Sequence, residues 1–137
     1  MTIAVTDKLD VVLAIRRKVF IEEQGISFDD DVDGKDPTAI HLIATDRANA
    51  VGTARLLISG EVGNIGRVAV LKESRGQGFG KALVLFALDE LRRQGASRAM
   101  LGAQTSATGF YEVLGFAAIG PEFIDAGIPH REMVLEL

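Results

Sequence analysis

Arg75-Gly76-Gln77-Gly78-Phe79-Gly80 is the stretch of this chain best suited to hold a charged ligand. An apolar, β-branched run precedes it, Gly66 to Leu71, and a helix-spaced run follows, Lys81 to Gln94. Strand, glycine loop and helix together build an anion site. Glycine lets the backbone turn tightly and lets a ligand come close. The first turn of the helix then offers unpaired N–H groups and the positive end of its dipole. A phosphate or pyrophosphate suits that chemistry.

Three loop patterns compete for these residues. A nucleoside-triphosphate loop needs Gly-x-x-x-x-Gly-Lys and then Ser or Thr. Here Gly80-Lys81 is followed by Ala82, and Arg75 stands where the first glycine belongs. No hydroxyl is placed for Mg²⁺, which excludes that chemistry. A dinucleotide fingerprint needs Gly-x-Gly-x-x-Gly. Gly76 and Gly78 fit it, but Lys81 takes the third position, and counting from Gly78 puts Leu83 there. The third pattern is Arg/Gln-x-x-Gly-x-Gly/Ala, and residues 75–80 match all of it. In this stretch the chain resembles the GCN5-related N-acetyltransferases, whose acyl-CoA pyrophosphate loop has this form.

A second stretch strengthens the resemblance. The family's other signature is Asn-x-x-Ala-x-x-Phe/Leu-Tyr-x-x-x-Gly-Phe. Ala107, Phe110, Tyr111, Gly115 and Phe116 fall in place, and Gln104 replaces the usual Asn. The N-terminal half adds Arg16 to Gln24, Asp33 and His41, and the tail adds Asp125 to His130. These resemble the ElaA/YjcF-like branch of the same family, so the resemblance spans nearly the whole chain.

The resemblance implies acetyl-CoA as co-substrate and a primary amine, small-molecule or peptide, as acceptor. It implies that Tyr111, the single tyrosine, acts as general acid toward the CoA sulfur. Backbone amides of Val68, Ala69 and Val70 would meet the pantetheine and the thioester carbonyl, an oxyanion-type role. The pyrophosphate would meet Gln77, Gly78, Phe79, Gly80 and Lys81, with Gly76 shaping the turn and Arg75 closing the loop. Gln104 and Phe110 complete the expected cofactor contacts.

An alkylammonium with a reference pKa of about 10.4 must lose a proton before it attacks, so a base or a water chain is needed. Glu23, Asp33, His41, Arg67 and His130 are the candidates on the acceptor side, with Glu23, His41 and His130 the choices for base. The acidic run Asp29 to Asp36 could attract an amine, although such a run reads first as a solvated loop. With no cysteine, direct attack in a ternary complex is favoured over an acyl-cysteine route. The rivals are an acyl-CoA sensor without turnover and the transfer of a longer acyl chain or transfer to an oxygen.

The elements that must position these residues follow from periodicity. Strands are expected at 2–6, 39–46, 51–58 and 62–71, and helices at 8–23, 81–94 and 105–114. A buried strand is expected at 98–103, and terminal strands at 116–119 and 131–136 with a loop from Pro121 to Pro129. Asp7 is the expected N-cap and Gly25 the stop of the first helix, with a loop from 25 to 37. The order β-α-β-β-β-α-β-α-β-β is α/β or α+β, one domain over 1–137. The resemblance implies a mixed central sheet in which two parallel strands splay to form the acyl-CoA cleft.

Composition sets the outer bounds. The 47% hydrophobic and 25% charged content is that of a globular protein. Net charge −4 argues against general nucleic-acid binding and gives no support to anionic membrane surfaces. Two histidines and no cysteine argue against a structural zinc. The N-terminus has no basic region followed by an apolar core, so a cytoplasmic protein is expected. A homodimer is compatible with the sequence, but no interface stripe marks one.

Overall fold

The computed structural model describes residues 1–137. Strands β1 (Thr2–Thr6), β2 (Ile40–Asp46), β3 (Asn49–Ser59), β4 (Val62–Val70), β5 (Arg98–Gln104), β6 (Ala117–Asp125) and β7 (Ile128–Glu136) form one sheet in the order β1-β2-β3-β4-β5-β7-β6. Every neighbouring pair is antiparallel except β4 and β5. Those two are joined through α3 (Phe79–Arg93). The expected mixed sheet is therefore present, with its one parallel pair at the centre.

That pair separates early. β4 and β5 are in register only from Val62↔Arg98 to Asn64↔Met100, after which each runs on without the other. A bulge in β4 accompanies the divergence. Its pairing with β3 jumps from Arg55↔Gly66 to Thr53↔Ala69, leaving an extra residue on β4. Arg67 within the bulge has φ 51, a left-handed conformation rare for a non-glycine residue. Bulges bend strands and increase their twist, and here the bulged strand leaves its neighbour.

α3 covers one face of the sheet. Its buried positions Leu83, Val84, Ala87, Leu88 and Leu91 recur at helical spacing and pack in the main core with Leu42, Leu56 and Ile65. Gly63 makes the approach close: a Cβ there would collide with the Leu91 side chain. α1 (Leu9–Arg16) and the segment after it supply a smaller cluster, in which Ile15 and Val19 meet Ala69 of β4.

Several expectations change. The helix expected at 8–23 is α1 followed by a π-helical segment, Arg17–Glu23. Asp7 does not cap it; Lys8 is the N-cap residue, without a side-chain bond. The expected loop 25–37 contains a short helix, α2 (Phe28–Asp31), capped by Ser27, and a 3₁₀ turn at Asp36–Thr38. α3 begins at Phe79 because its buried ring anchors the first turn, with Gly78 as N-cap.

A further change concerns the terminal strands, which extend through the stretch expected as a loop. Pro121 lies inside the β6 bulge between Ile119 and Phe123, where its missing N–H costs no ladder bond. Ala126 (φ 51) and Gly127 (φ 76) make a two-residue hairpin turn between Asp125 and Ile128. The short helix after β5 is α4 (Thr108–Val113), preceded by a 3₁₀ turn at Thr105–Ala107. No helix is long and apolar enough to cross a membrane.

Candidate active site

The glycine loop has the conformation its composition demands. Gly76 (φ 78) and Gly78 (φ 87) are both left-handed, and nothing lies within 4 Å of a Cβ added to either. Their requirement is backbone freedom rather than space. The loop leads directly into the first turn of α3, whose amides have no partners within the helix. Lys81 is exposed in that turn. The residues present therefore fit a pyrophosphate.

The two sequence signatures meet at this point. A Cβ on Gly80 would sit 3.7 Å from Phe110 Cζ and 3.9 Å from Val70 Cγ2. The end of β4, the start of α3 and α4 thus converge. Tyr111 lies between Phe110 (4.9 Å, edge-on) and Phe116 (5.9 Å, edge-on). Burial in this setting pushes its hydroxyl up to about 12, so it keeps its proton at neutral pH.

Beside this lies a cleft of about 350 Å³, lined by Val68 and Arg67 of β4, Gln104 of β5, His130 of β7, and Phe20, Gln24, Asp30 and Asp125. It opens where β4 and β5 have separated. Val68 and Gln104 are thus brought to one space. His130 faces Gln104 across the β5–β7 pairing, stacks on Phe123 at 5.7 Å, and has Nδ1 2.7 Å from the Ile128 carbonyl. Gln104 donates to Gln24 at 2.9 Å, so the extra methylene relative to Asn reaches a partner on the opposite wall.

The other base candidates lie elsewhere. His41 is 6% exposed, and its Nε2 meets the Asp36 carbonyl at 2.9 Å, inside the protein and away from the cleft. Glu23 is held bidentate by Arg75 at 2.6 and 2.7 Å. That pairing lowers its carboxyl below the ordinary range, which makes it a poor proton acceptor. Arg75 also donates to the Val70 carbonyl at 2.9 Å. Asp33 receives two bonds from Arg55, at 2.8 and 2.9 Å, and these hold it far below its usual value.

The acidic run is not a solvated loop. Asp31 and Asp36 are 2% and 5% exposed and bind the fully buried Arg16. Asp36 also meets Arg55 at 3.2 Å. Burial acts to raise Asp36, but Arg16 and Arg55 outweigh it and hold it low. Arg67 donates to the Asp31 and Asp30 carbonyls at 3.2 and 3.1 Å and pairs with Asp31 and Asp33. Burial lowers its own pKa. Three arginines and three aspartates thus form one network behind the wall of the cleft that Asp30, Asp31 and Arg67 line. Only Asp29 and Asp30 of the run leave their carboxylates without an ion pair.

The comparisons agree with this geometry. The profile of the Acetyltransferase (GNAT) domain matches residues 22–137. The chain belongs to the GNAT acetyltransferases. The Bacillus subtilis protein named "Uncharacterized N-acetyltransferase YjcF" is 34% identical over 88% of this chain and 86% of its own. The crystal structure of Escherichia coli ElaA superposes with TM-score 0.89 at 28% identity, over 99% of this chain and all of that one. An acyl-CoA N-acyltransferase from Pseudomonas aeruginosa gives TM-score 0.88 at 27% identity, over 98% and 99%. The chain is an acetyl-CoA-dependent N-acetyltransferase of the ElaA/YjcF-like branch.

Sequence reasoning did not place Gln24, Asp30 or Asp125 in the cleft as site residues. Gln24 and Asp125 were within the stretches that carry the branch resemblance, which was the available signal. Asp30 had none beyond its place in the acidic run.

Proposed function

We propose that acetyl-CoA lies in the gap between β4 and β5 and that a primary amine, on a small molecule or a peptide, attacks it directly from the cleft. The observation that carries this is the separation of β4 from β5 beyond Asn64, immediately before the glycine loop. The pyrophosphate is held by the amides of Gln77, Gly78, Phe79, Gly80 and Lys81. The backbone of Val68, Ala69 and Val70 faces the pantetheine and donates to the thioester oxygen as negative charge develops there.

Tyr111 is the general acid: its raised pKa supplies a protonated hydroxyl throughout the working range. His130 is the preferred base, directly or through water. It is the one candidate base that lines the cleft and is not committed to an ion pair. Asp30 and Asp125 give the cleft an acidic rim that suits a cationic acceptor. This is cytoplasmic chemistry carried out by one domain.

The test is release of free CoA thiol from acetyl-CoA over a panel of polyamines, amino sugars, aminoglycosides and lysine peptides. Turnover with one class, lost in Tyr111→Phe and in His130→Asn, supports the reading. Acetyl-CoA binding with no release for any amine favours an acyl-CoA sensor.

A further inference from the structure

Glu23 and Gln24 are adjacent in sequence but bond to opposite sides of the cofactor gap. Glu23 binds Arg75, in the loop that follows β4. Gln24 accepts from Gln104, at the end of β5. Both residues end the π-helical segment, and the chain then turns at Gly25 (φ 73), with Ile26 N–H returning to the Phe20 carbonyl. Phe20, Gln24, Ile26 and Asp30 all line the cleft. The amine-side wall is therefore fastened to the cofactor loop by the Glu23–Arg75 pair.

Arg75 sits where a phosphate ligand is expected, yet its fork is matched to a carboxylate. A bidentate guanidinium–carboxylate pair fixes both position and plane. Its Nε is bound by the Val70 carbonyl, and its charge is compensated by Glu23. The glycine loop and the first turn of α3 hold an anion by their backbone without it.

We propose that Glu23 is a positioning residue: acting through Arg75, it couples the acetyl-CoA loop to the amine-side wall at residues 20–33, so that cofactor binding orders that wall. The proposal rests on residues 75–80 being the cofactor loop. Coupling of this kind is a free energy shared between two sites and is read by occupying one and observing the other.

The experiment is hydrogen–deuterium exchange of the full chain with and without saturating acetyl-CoA, with calorimetric affinities for the same forms. In the wild type, acetyl-CoA slows exchange over 20–33. Glu23→Gln binds acetyl-CoA within about threefold of wild type and loses that slowing; Arg75→Gln loses it too, and the double variant loses no more of it than either single one, as expected for two residues acting as a unit. Because the pair is exposed, these forms are expected to fold. Should a single variant not fold, Arg75→Lys, which keeps the charge but loses the fork, must lose the slowing in the same way.

Slowing that persists in the single variants overturns the coupling. Loss of affinity beyond about tenfold in Arg75→Gln, with Glu23→Gln keeping both affinity and slowing, makes Arg75 a phosphate ligand instead. A wild type that does not bind acetyl-CoA overturns the loop reading itself, and the proposal with it.

Discussion

The two sides of the cleft are built by opposite means. The side proposed for the cofactor is made of backbone: left-handed glycines at 76 and 78, the free amides of α3, and the unpaired edge of β4. The side proposed for the amine rests on side chains: Arg67 and Asp31 line it, and Arg16, Arg55, Asp33 and Asp36 join them in one network behind it. Backbone sites recognise what every acyl-CoA shares, a pyrophosphate and an amide-bearing arm. Side-chain sites can differ from one relative to the next without disturbing the loop opposite.

The difference explains which half could be read in the sequence. A glycine loop is local: its residues, its strand and its helix are contiguous, so the turn at Gly76 and Gly78 and the helix after it were legible in Arg75 to Gly80. The buried network joins residues far apart in the chain, such as Arg16 with Asp36 and Arg55 with Asp33. Nothing local distinguishes Asp31, which is buried, from Asp29, which is exposed. The terminal hairpin was misjudged for a related reason. Pro121, Pro129 and Gly127 read as loop residues, whereas a bulge and a tight turn accommodate them within paired strands. His41 could not be recognised as internal either, since its burial on β2 and its bond to the Asp36 carbonyl come from packing between separate elements.

The comparison is broken most severely at Arg16. Replacing it by Met takes the fully buried cation from between Asp31 and Asp36, leaving each with one longer ion pair, to Arg67 and to Arg55, and costs about 3–5 kcal/mol. Urea unfolding of Arg16→Met should show that loss. A loss below about 1 kcal/mol would mean that the network does not hold the amine side together.

On the cofactor side, Tyr111→Phe removes a proton donor but little packing. Thiol-release turnover should fall by about a hundredfold, or ~2.7 kcal/mol, while acetyl-CoA affinity is kept. A fall in affinity with unchanged turnover would make Tyr111 a packing residue only.

Asp36→Asn keeps an oxygen to accept from Arg16 and Arg55, which both bond to Oδ1, but removes the negative charge between them, and should cost about 1–3 kcal/mol. The same network sets a pH dependence. Asp33 and Asp36 have folded values below their ordinary 3.8. Their contribution is fully present above that value and is lost as pH falls through the folded values, because the unfolded chain takes up protons first. Melting temperature should therefore drop below about pH 4, and less steeply in Asp36→Asn than in the wild type. Equal slopes would show that these carboxylates do not govern acid unfolding.

The smallest effect separates the acidic run into its two kinds of residue. Asp29→Asn, at an exposed and unpaired position, should change stability by no more than about 0.5 kcal/mol. A cost matching that of Asp36→Asn would mean that the whole run acts as one structural unit.

The central claim is that the backbone of residues 76–81 holds the pyrophosphate of acetyl-CoA. Calorimetric titration of acetyl-CoA into the wild type and into Gly78→Glu tests it most directly. The substitution sets a side chain at φ 87 and a negative charge at the mouth of the loop. The account predicts a single site in the wild type and no measurable binding in a Gly78→Glu protein that still shows cooperative unfolding. Equal affinity in the two would contradict it.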